Sequence, residues 1–179
     1  SIASHQIGPC QVADDHLYVN VADGAQTTRS QQLDWLLGKI VRMTLDGEPA
    51  PDNPFYQEDD PGNPTNYVWA SGLRNPFGLK IVGSRVFVAD NGPDIDRFLQ
   101  VRAGGNYLWD GTNISIGTNA DAIFSPGRGV AQLDYYPSGE GIFPSRFDNS
   151  FMMTVSGNPA LRREGVPAIW SVPYDLEQG

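Results

Sequence analysis

The sequence predicts an all-β protein built as part of a β-propeller, with about three blades of a larger ring present. Three observations predict it. Helical periodicity is nearly absent. Apolar runs of strand length recur along the chain, each bounded by Gly, Pro, Asp or Asn. One unit, a strand with its partner, recurs three times at a spacing of roughly 60–70 residues.

The strand-like runs occupy residues 16–22, 39–45, 67–70, 79–82, 85–89, 98–102, 131–136, 151–155 and 169–172. The best helical candidate, 30–37, is a short loop helix at most. Leu17-Tyr18-Val19-Asn20-Val21-Ala22-Asp23-Gly24 is echoed by Val86-Phe87-Val88-Ala89-Asp90-Asn91-Gly92, and more weakly by Phe151-Met152-Met153-Thr154-Val155-Ser156-Gly157. A partner strand follows each echo, within residues 38–45, 96–102 and 168–174. On this reading a single partial-propeller domain, 1–179, divides into blade-like units at about 1–47, 48–111 and 112–179. One small antiparallel sheet cannot bury both of its faces, and stacking such sheets side by side buries them against each other. Propellers close with ~4–8 blades, so three leave two open faces. The rest of the ring either lies outside this sequence or is supplied by a second copy, and if the 179 residues are the whole chain, pairing of two half-rings into a homo-oligomer is expected. An ordinary β-sandwich with coincidental repeats is the alternative.

Composition narrows the function classes. The 179 residues suit one domain, and 20 Gly and 14 Pro with 11% aromatic residues favour short strands joined by elaborate loops. A formal net charge of -9, with 12 Lys and Arg scattered through the chain, argues against a nucleic-acid surface. No apolar run approaches the ~18 residues a membrane span needs. The single cysteine, Cys10, excludes an internal disulfide and a Cys-rich zinc site. The opening Ser1-Ile2-Ala3 is read as an internal segment or as a chain whose leader has been removed.

Four segments carry residues suited to chemistry. In Ser4-His5-Gln6-Ile7-Gly8, His5 has the right ordinary pKa for a general base, and a packing histidine is the alternative. In Gly72-Leu73-Arg74-Asn75-Pro76-Phe77-Gly78, Pro76 holds Asn75 extended, so Arg74 and Asn75 can present several donors to carboxylate or quinone oxygens. A rigid turn with Arg74 in water is the alternative. Ala89-Asp90-Asn91-Gly92-Pro93-Asp94-Ile95-Asp96 is oxygen-rich and tightly turned, which suits a hard cation such as calcium or an Asx turn. Gly104-Gly105-Asn106-Tyr107-Leu108-Trp109-Asp110-Gly111 is a sharp turn whose aromatics either wall a pocket or pack a blade end. His16 falls in a strand run and is read as structural. No Ser-His-Asp or Cys-His constellation can be assembled.

Taken in order, these segments resemble the soluble quinoprotein glucose/sorbosone (aldose sugar) dehydrogenase family. The resemblance rests on His5-Gln6-x-Gly8, Leu17-Tyr18-Val19, residues 37–47, Pro51-Asp52-Asn53-Pro54-Phe55, residues 72–78, Asn91-Gly92-Pro93 and Gly104-Gly105-Asn106-Tyr107. It continues more weakly through Tyr136-Pro137-Ser138-Gly139 and Phe143-Pro144. The resemblance implies a six-bladed propeller that binds pyrroloquinoline quinone (PQQ) with calcium and oxidises an aldose at its anomeric carbon. It implies His5 as general base and Asp23 as the acidic partner that orients it. It implies Arg74 and Asn75 on the quinone oxygens, and the Gly92 and Pro93 carbonyls on calcium. It further implies a sugar substrate, an external electron acceptor and a periplasmic or secreted location. Three departures stand out. Asp96-Arg97 replaces an Asp-Glu pair, placing a basic residue near the expected cation. Leu108-Trp109 replaces Gly-Trp. The late cofactor-gripping cation has only a loose counterpart at Arg162-Arg163. A non-catalytic propeller used for binding or as a scaffold is the second reading, since fold does not dictate function.

Overall fold

The computed structural model of the protein describes residues 5–157 and 168–176. Among these residues, eleven strands form three antiparallel sheets. The first sheet runs in the order β1 (Ile7–Ala13), β2 (His16–Val21), β3 (Lys39–Thr44) and β4 (Val68–Ser71). The second runs β5 (Pro76–Val82), β6 (Arg85–Asn91), β7 (Asp96–Val101) and β8 (Ala122–Phe124). The third holds β9 (Val130–Tyr136), β10 (Ser150–Val155) and β11 (Ala168–Pro173). Each strand pairs with its neighbour in sequence, which is the meander of a propeller blade. The three echoes of the repeat are β2, β6 and β10, the second strand of every sheet.

All nine expected runs lie in strands. Two further strands have no strong sequence signal: β1 carries Gly8 and Pro9, which weaken a strand reading, and β8 has 3 residues. Strand pairing sets the sheets at 7–71, 76–124 and 130–173, so the boundaries fall later than 47 and 111. The outermost strand β8 lies beyond a long loop, where no run of strand length marks it, whereas β4 falls on the expected run at 67–70. The helix expected over 30–37 is absent, and a 3-10 turn at Thr27–Gln31 takes its place. The cause is Lys39. Its buried Nζ donates to the carbonyls of Arg29, Ser30 and Leu37, turning them toward a cation instead of a helical ladder. Burial brings the Lys39 pKa down to about 8.

The blades bury one another through the two-residue alternation of their strands. On β6, Val86 and Val88 face the first sheet, joining Tyr18, Ile40, Trp69 and Leu79. Phe87 and Ala89 face the third sheet, joining Phe98, Leu133, Phe151 and Met153. The middle sheet is therefore apolar on both faces, and its strands read as continuous hydrophobic runs. Phe87, Phe98 and Phe151 are all fully buried, with Phe87 and Phe151 ring centroids 4.5 Å apart. Each such ring stabilises the stack by roughly 1.5–3 kcal/mol through burial alone.

The first strands of the three sheets pack successively, β1 on β5 and β5 on β9. Their backbones approach so closely that side chains do not fit. A Cβ on Gly8 would lie 2.7 Å from the Pro76 carbonyl, and one on Gly78 would lie 2.7 Å from the Ala131 carbonyl. The same contact thus recurs one blade on. Pairing registers shift between Ile7 and Cys10 on β1 and between Pro76 and Gly78 on β5. Bulges of this kind re-aim the chain at sheet ends, and here they lie beside His5, Arg74 and Asn75.

Candidate active site

Three of the four segments singled out in the sequence meet, with Asp23, at one end of the stack. His5 enters just before β1, and Asp23 follows β2. Arg74 and Asn75 form the crossing from β4 to β5. Gly92 and Pro93 form the turn from β6 to β7. His5, Arg74, Asn75, Gly92 and Pro93 all line a cavity of about 580 Å³ that also takes in Asp96 and the backbone of the third blade near Gly129 and Gly157. Asp23 does not line it. It stands behind His5, and only 1% of its surface is exposed.

His5 Nδ1 lies 2.6 Å from Asp23 Oδ1. Asp23 Oδ2 accepts the indole N–H of Trp109 at 2.8 Å, and Oδ1 also accepts the Ala25 N–H at 2.9 Å. Burial alone would raise the Asp23 pKa. The bonds from His5, Trp109 and Ala25 outweigh it and hold the carboxyl below its ordinary value. An ionised carboxylate only accepts hydrogen bonds, so the Nδ1 of His5 carries a proton, and in the neutral imidazole Nε2 is then the atom with the lone pair. The His5 backbone is left-handed, at a φ of 54°, and the Gly24 N–H donates to its carbonyl at 3.0 Å. Backbone strain of this kind is characteristic of functional sites.

Asp90 occupies in the second blade the place that Asp23 holds in the first. Its Oδ1 accepts the Asn75 N–H at 2.7 Å and the Arg74 N–H at 3.2 Å. Its Oδ2 accepts Arg97 Nε at 3.0 Å and Nη2 at 2.9 Å. The rest of the Arg97 guanidinium donates to the carbonyls of Gly72 at 3.1 Å, Tyr107 at 2.8 Å and Ser115 at 3.3 Å. The basic residue that replaces an acidic one in the sequence therefore does not enter the cavity. Asp96 and Arg97 are successive strand residues with opposite facings, so Asp96 lines the cavity while Arg97 is drawn into the sheet. Burial raises the Asp96 pKa, partly offset by N–H bonds from Arg128, Gly129 and Gly92.

The donors and acceptors at the cavity wall suit a polar, anionic ligand with a hard cation. Among the described residues the Arg74 guanidinium is held by one hydrogen bond, Nη1 to the Asn91 carbonyl at 2.8 Å. The Asn75 side-chain amide makes no hydrogen bond within the described residues. The Gly92 carbonyl also accepts none there, nor does that of Pro93. Among the described residues no group of three or more His, Cys, Asp or Glu is placed to hold a metal. Any cation site at this wall would therefore draw on backbone oxygens.

Sequence reasoning placed Asp90, Asp96 and Trp109 in candidate segments but gave none of them an individual role in this site. The echo of Ala22-Asp23 in Ala89-Asp90 was a usable signal for the first. Of the two readings of the turn at 104–111, neither aromatic walls this cavity. Trp109 lies behind the cavity on Asp23, and Tyr107 lines a separate polar cleft with Arg102 and Tyr174. His16 lies in β2, its Nδ1 2.6 Å from the Asp14 carbonyl and far from this site in the sheet. Arg162 and Arg163 lie outside the described residues.

Comparison with known proteins places the chain. The Glucose / Sorbosone dehydrogenase family model matches residues 5–132, well over half the chain, and the chain belongs to that family. Over 97 residues it is 31% identical to an aldose sugar dehydrogenase of Escherichia coli (strain K12), a stretch covering 52% of this chain and 25% of that protein. It is similar to a PQQ-bound aldose sugar dehydrogenase structure from Streptomyces coelicolor, at 27% identity and a TM-score of 0.71, over 96% of this chain and 46% of the other. A glucose dehydrogenase structure shares the fold at 21% identity and a TM-score of 0.80, over 99% of this chain and 52% of the other. The chain thus spans about half the length of these solved structures.

Proposed function

We propose that the protein is a sugar dehydrogenase that oxidises an aldose at its anomeric carbon with PQQ and calcium. The observation that carries this reading is the convergence of His5, Arg74, Asn75, Gly92 and Pro93 on one cavity, with His5 backed by Asp23. When bound, the quinone supplies the hydride acceptor and calcium polarises it. Arg74 and Asn75 would hold the quinone oxygens through donors that no described residue uses. The Gly92 and Pro93 carbonyls would ligate calcium. Two oxygens are fewer than the six to eight it takes, so quinone and water would complete the shell.

This chain's own residues carry the proton chemistry. His5 Nε2 takes the proton of the anomeric hydroxyl, and Asp23 stabilises the imidazolium that forms. The electron pair of the anomeric C–H leaves with the hydride, so the product is the lactone. An external electron acceptor and a periplasmic or secreted location belong to the same reading and rest on family likeness. Among the described residues no helix is long and apolar enough to cross a membrane.

The test is a titration with PQQ and calcium, followed by cofactor absorbance, with aldose added last. Saturable binding and bleaching on sugar addition support the proposal. Absence of binding with calcium in excess would leave a non-catalytic propeller module as the reading.

A further inference from the structure

We propose that Trp109 is a positioning residue, fixing the Asp23 carboxylate so that His5 presents its free nitrogen to the cavity and joining that pair to the Arg74 anchor. The inference rests on the reading of His5 as the base.

Trp109 is 3% exposed and belongs to the loop after β7, in the second blade. Asp23 follows β2, in the first. The bond from Nε1 to Asp23 Oδ2, 2.8 Å long, therefore crosses the blade junction. It occupies the oxygen that His5 does not use. A buried carboxylate oxygen with no donor is costly, so the indole both satisfies Oδ2 and stops the carboxylate from rotating. With rotation blocked, Oδ1 stays aimed at His5 Nδ1, and a single imidazole tautomer is selected.

The backbone of Trp109 is anchored on both sides. The Trp109 N–H of the main chain donates to the Gly72 carbonyl at 3.0 Å, and its carbonyl accepts Gln31 Nε2 at 3.1 Å. Leu108 just before it is left-handed, at a φ of 63°, which turns the chain back so that the indole reaches Asp23. The Arg74 guanidinium carbon sits 5.6 Å from the Trp109 ring centroid, within cation–π range. One side chain thus touches the partner of the base and the residue proposed to grip the quinone.

Trp109→Phe keeps a ring beneath Arg74 and removes only the donor. The first readout is the His5 tautomer by 15N NMR of the cofactor-free protein, with His16→Gln assigning the only other histidine. Wild type should show the Nδ1-protonated form, and Trp109→Phe a mixture. The second is single-turnover bleaching of bound PQQ by aldose. Its rate should fall about 10- to 100-fold in Trp109→Phe, the scale of one hydrogen bond to a charged group. The Kd for PQQ should change by less than about fivefold, since the ring is retained. An unchanged tautomer and rate overturn the proposal. So does a joint loss of rate, PQQ affinity and thermal midpoint, which would make Trp109 a packing residue. A wild type that binds no PQQ defeats the dehydrogenase reading instead, and the tautomer then decides the positioning role alone.

Discussion

Arg97 and Asp90 meet at 2.9 Å with neither side chain exposed, and through Asp90 the pair holds the backbone N–H groups of Arg74 and Asn75. A buried ion pair is weak evidence for stability, but breaking one is costly because a charge is left alone. Arg97→Met should lower the unfolding free energy by about 3–5 kcal/mol, measured by urea denaturation. Arg97→Met with Asp90→Leu should recover part of that loss. The double variant should still bind PQQ poorly, because the turn at Arg74 and Asn75 has lost its acceptor.

The close approach of inner strands makes a second prediction. A methyl group on Gly78 would meet the Ala131 carbonyl and the Ala89 Cβ, both at 2.7 Å, and neither can withdraw cheaply. Gly78→Ala should destabilise by about 1–3 kcal/mol. Equal stability of the variant and wild type would show that β5 and β9 can separate without cost.

Leu108 offers a stabilising change. A left-handed leucine costs roughly 1–2 kcal/mol, while a glycine there adds about 0.4–1 kcal/mol of unfolded-state entropy to be overcome. The Leu108 side chain is 42% exposed, so little burial is lost. Leu108→Gly should therefore raise stability by up to about 1 kcal/mol, read as a higher thermal midpoint with the rate of sugar oxidation retained.

Asp23 predicts the acid response. Its folded pKa lies below the ordinary 3.8, so the unfolded chain takes up the proton first as pH falls. The stability it contributes is complete above that ordinary value and is lost as pH drops through the folded one. Urea unfolding followed from pH 5 downward should show wild type losing stability more steeply than Asp23→Asn. Parallel curves would contradict the bonding of Asp23 to His5 and Trp109.

Much of this molecule was legible in the sequence because strand alternation and turn residues are local signals. The echo through β2, β6 and β10 marked the blade repeat, and the Arg74-Asn75-Pro76 and Asn91-Gly92-Pro93 turns marked the cavity wall. What stayed hidden depends on long-range pairing. Nothing local in Trp109 says that its indole reaches Asp23, 86 positions away. Nothing local in Arg97 says that Asp90 and several carbonyls enclose it. The outer strand β8 is fixed by pairing across a long loop, and the loop at 30–37 is shaped by Lys39 from outside it.

The central claim is that His5 is the base of an aldose dehydrogenase site. The most direct test is single-turnover reduction of bound PQQ by aldose in wild type and His5→Ala, with the Kd for PQQ measured on the same samples. The account predicts a Kd within a few-fold of wild type and a reduction rate lower by about 10²- to 10⁴-fold, the usual contribution of a positioned general base. Equal reduction rates with PQQ bound in both would contradict it.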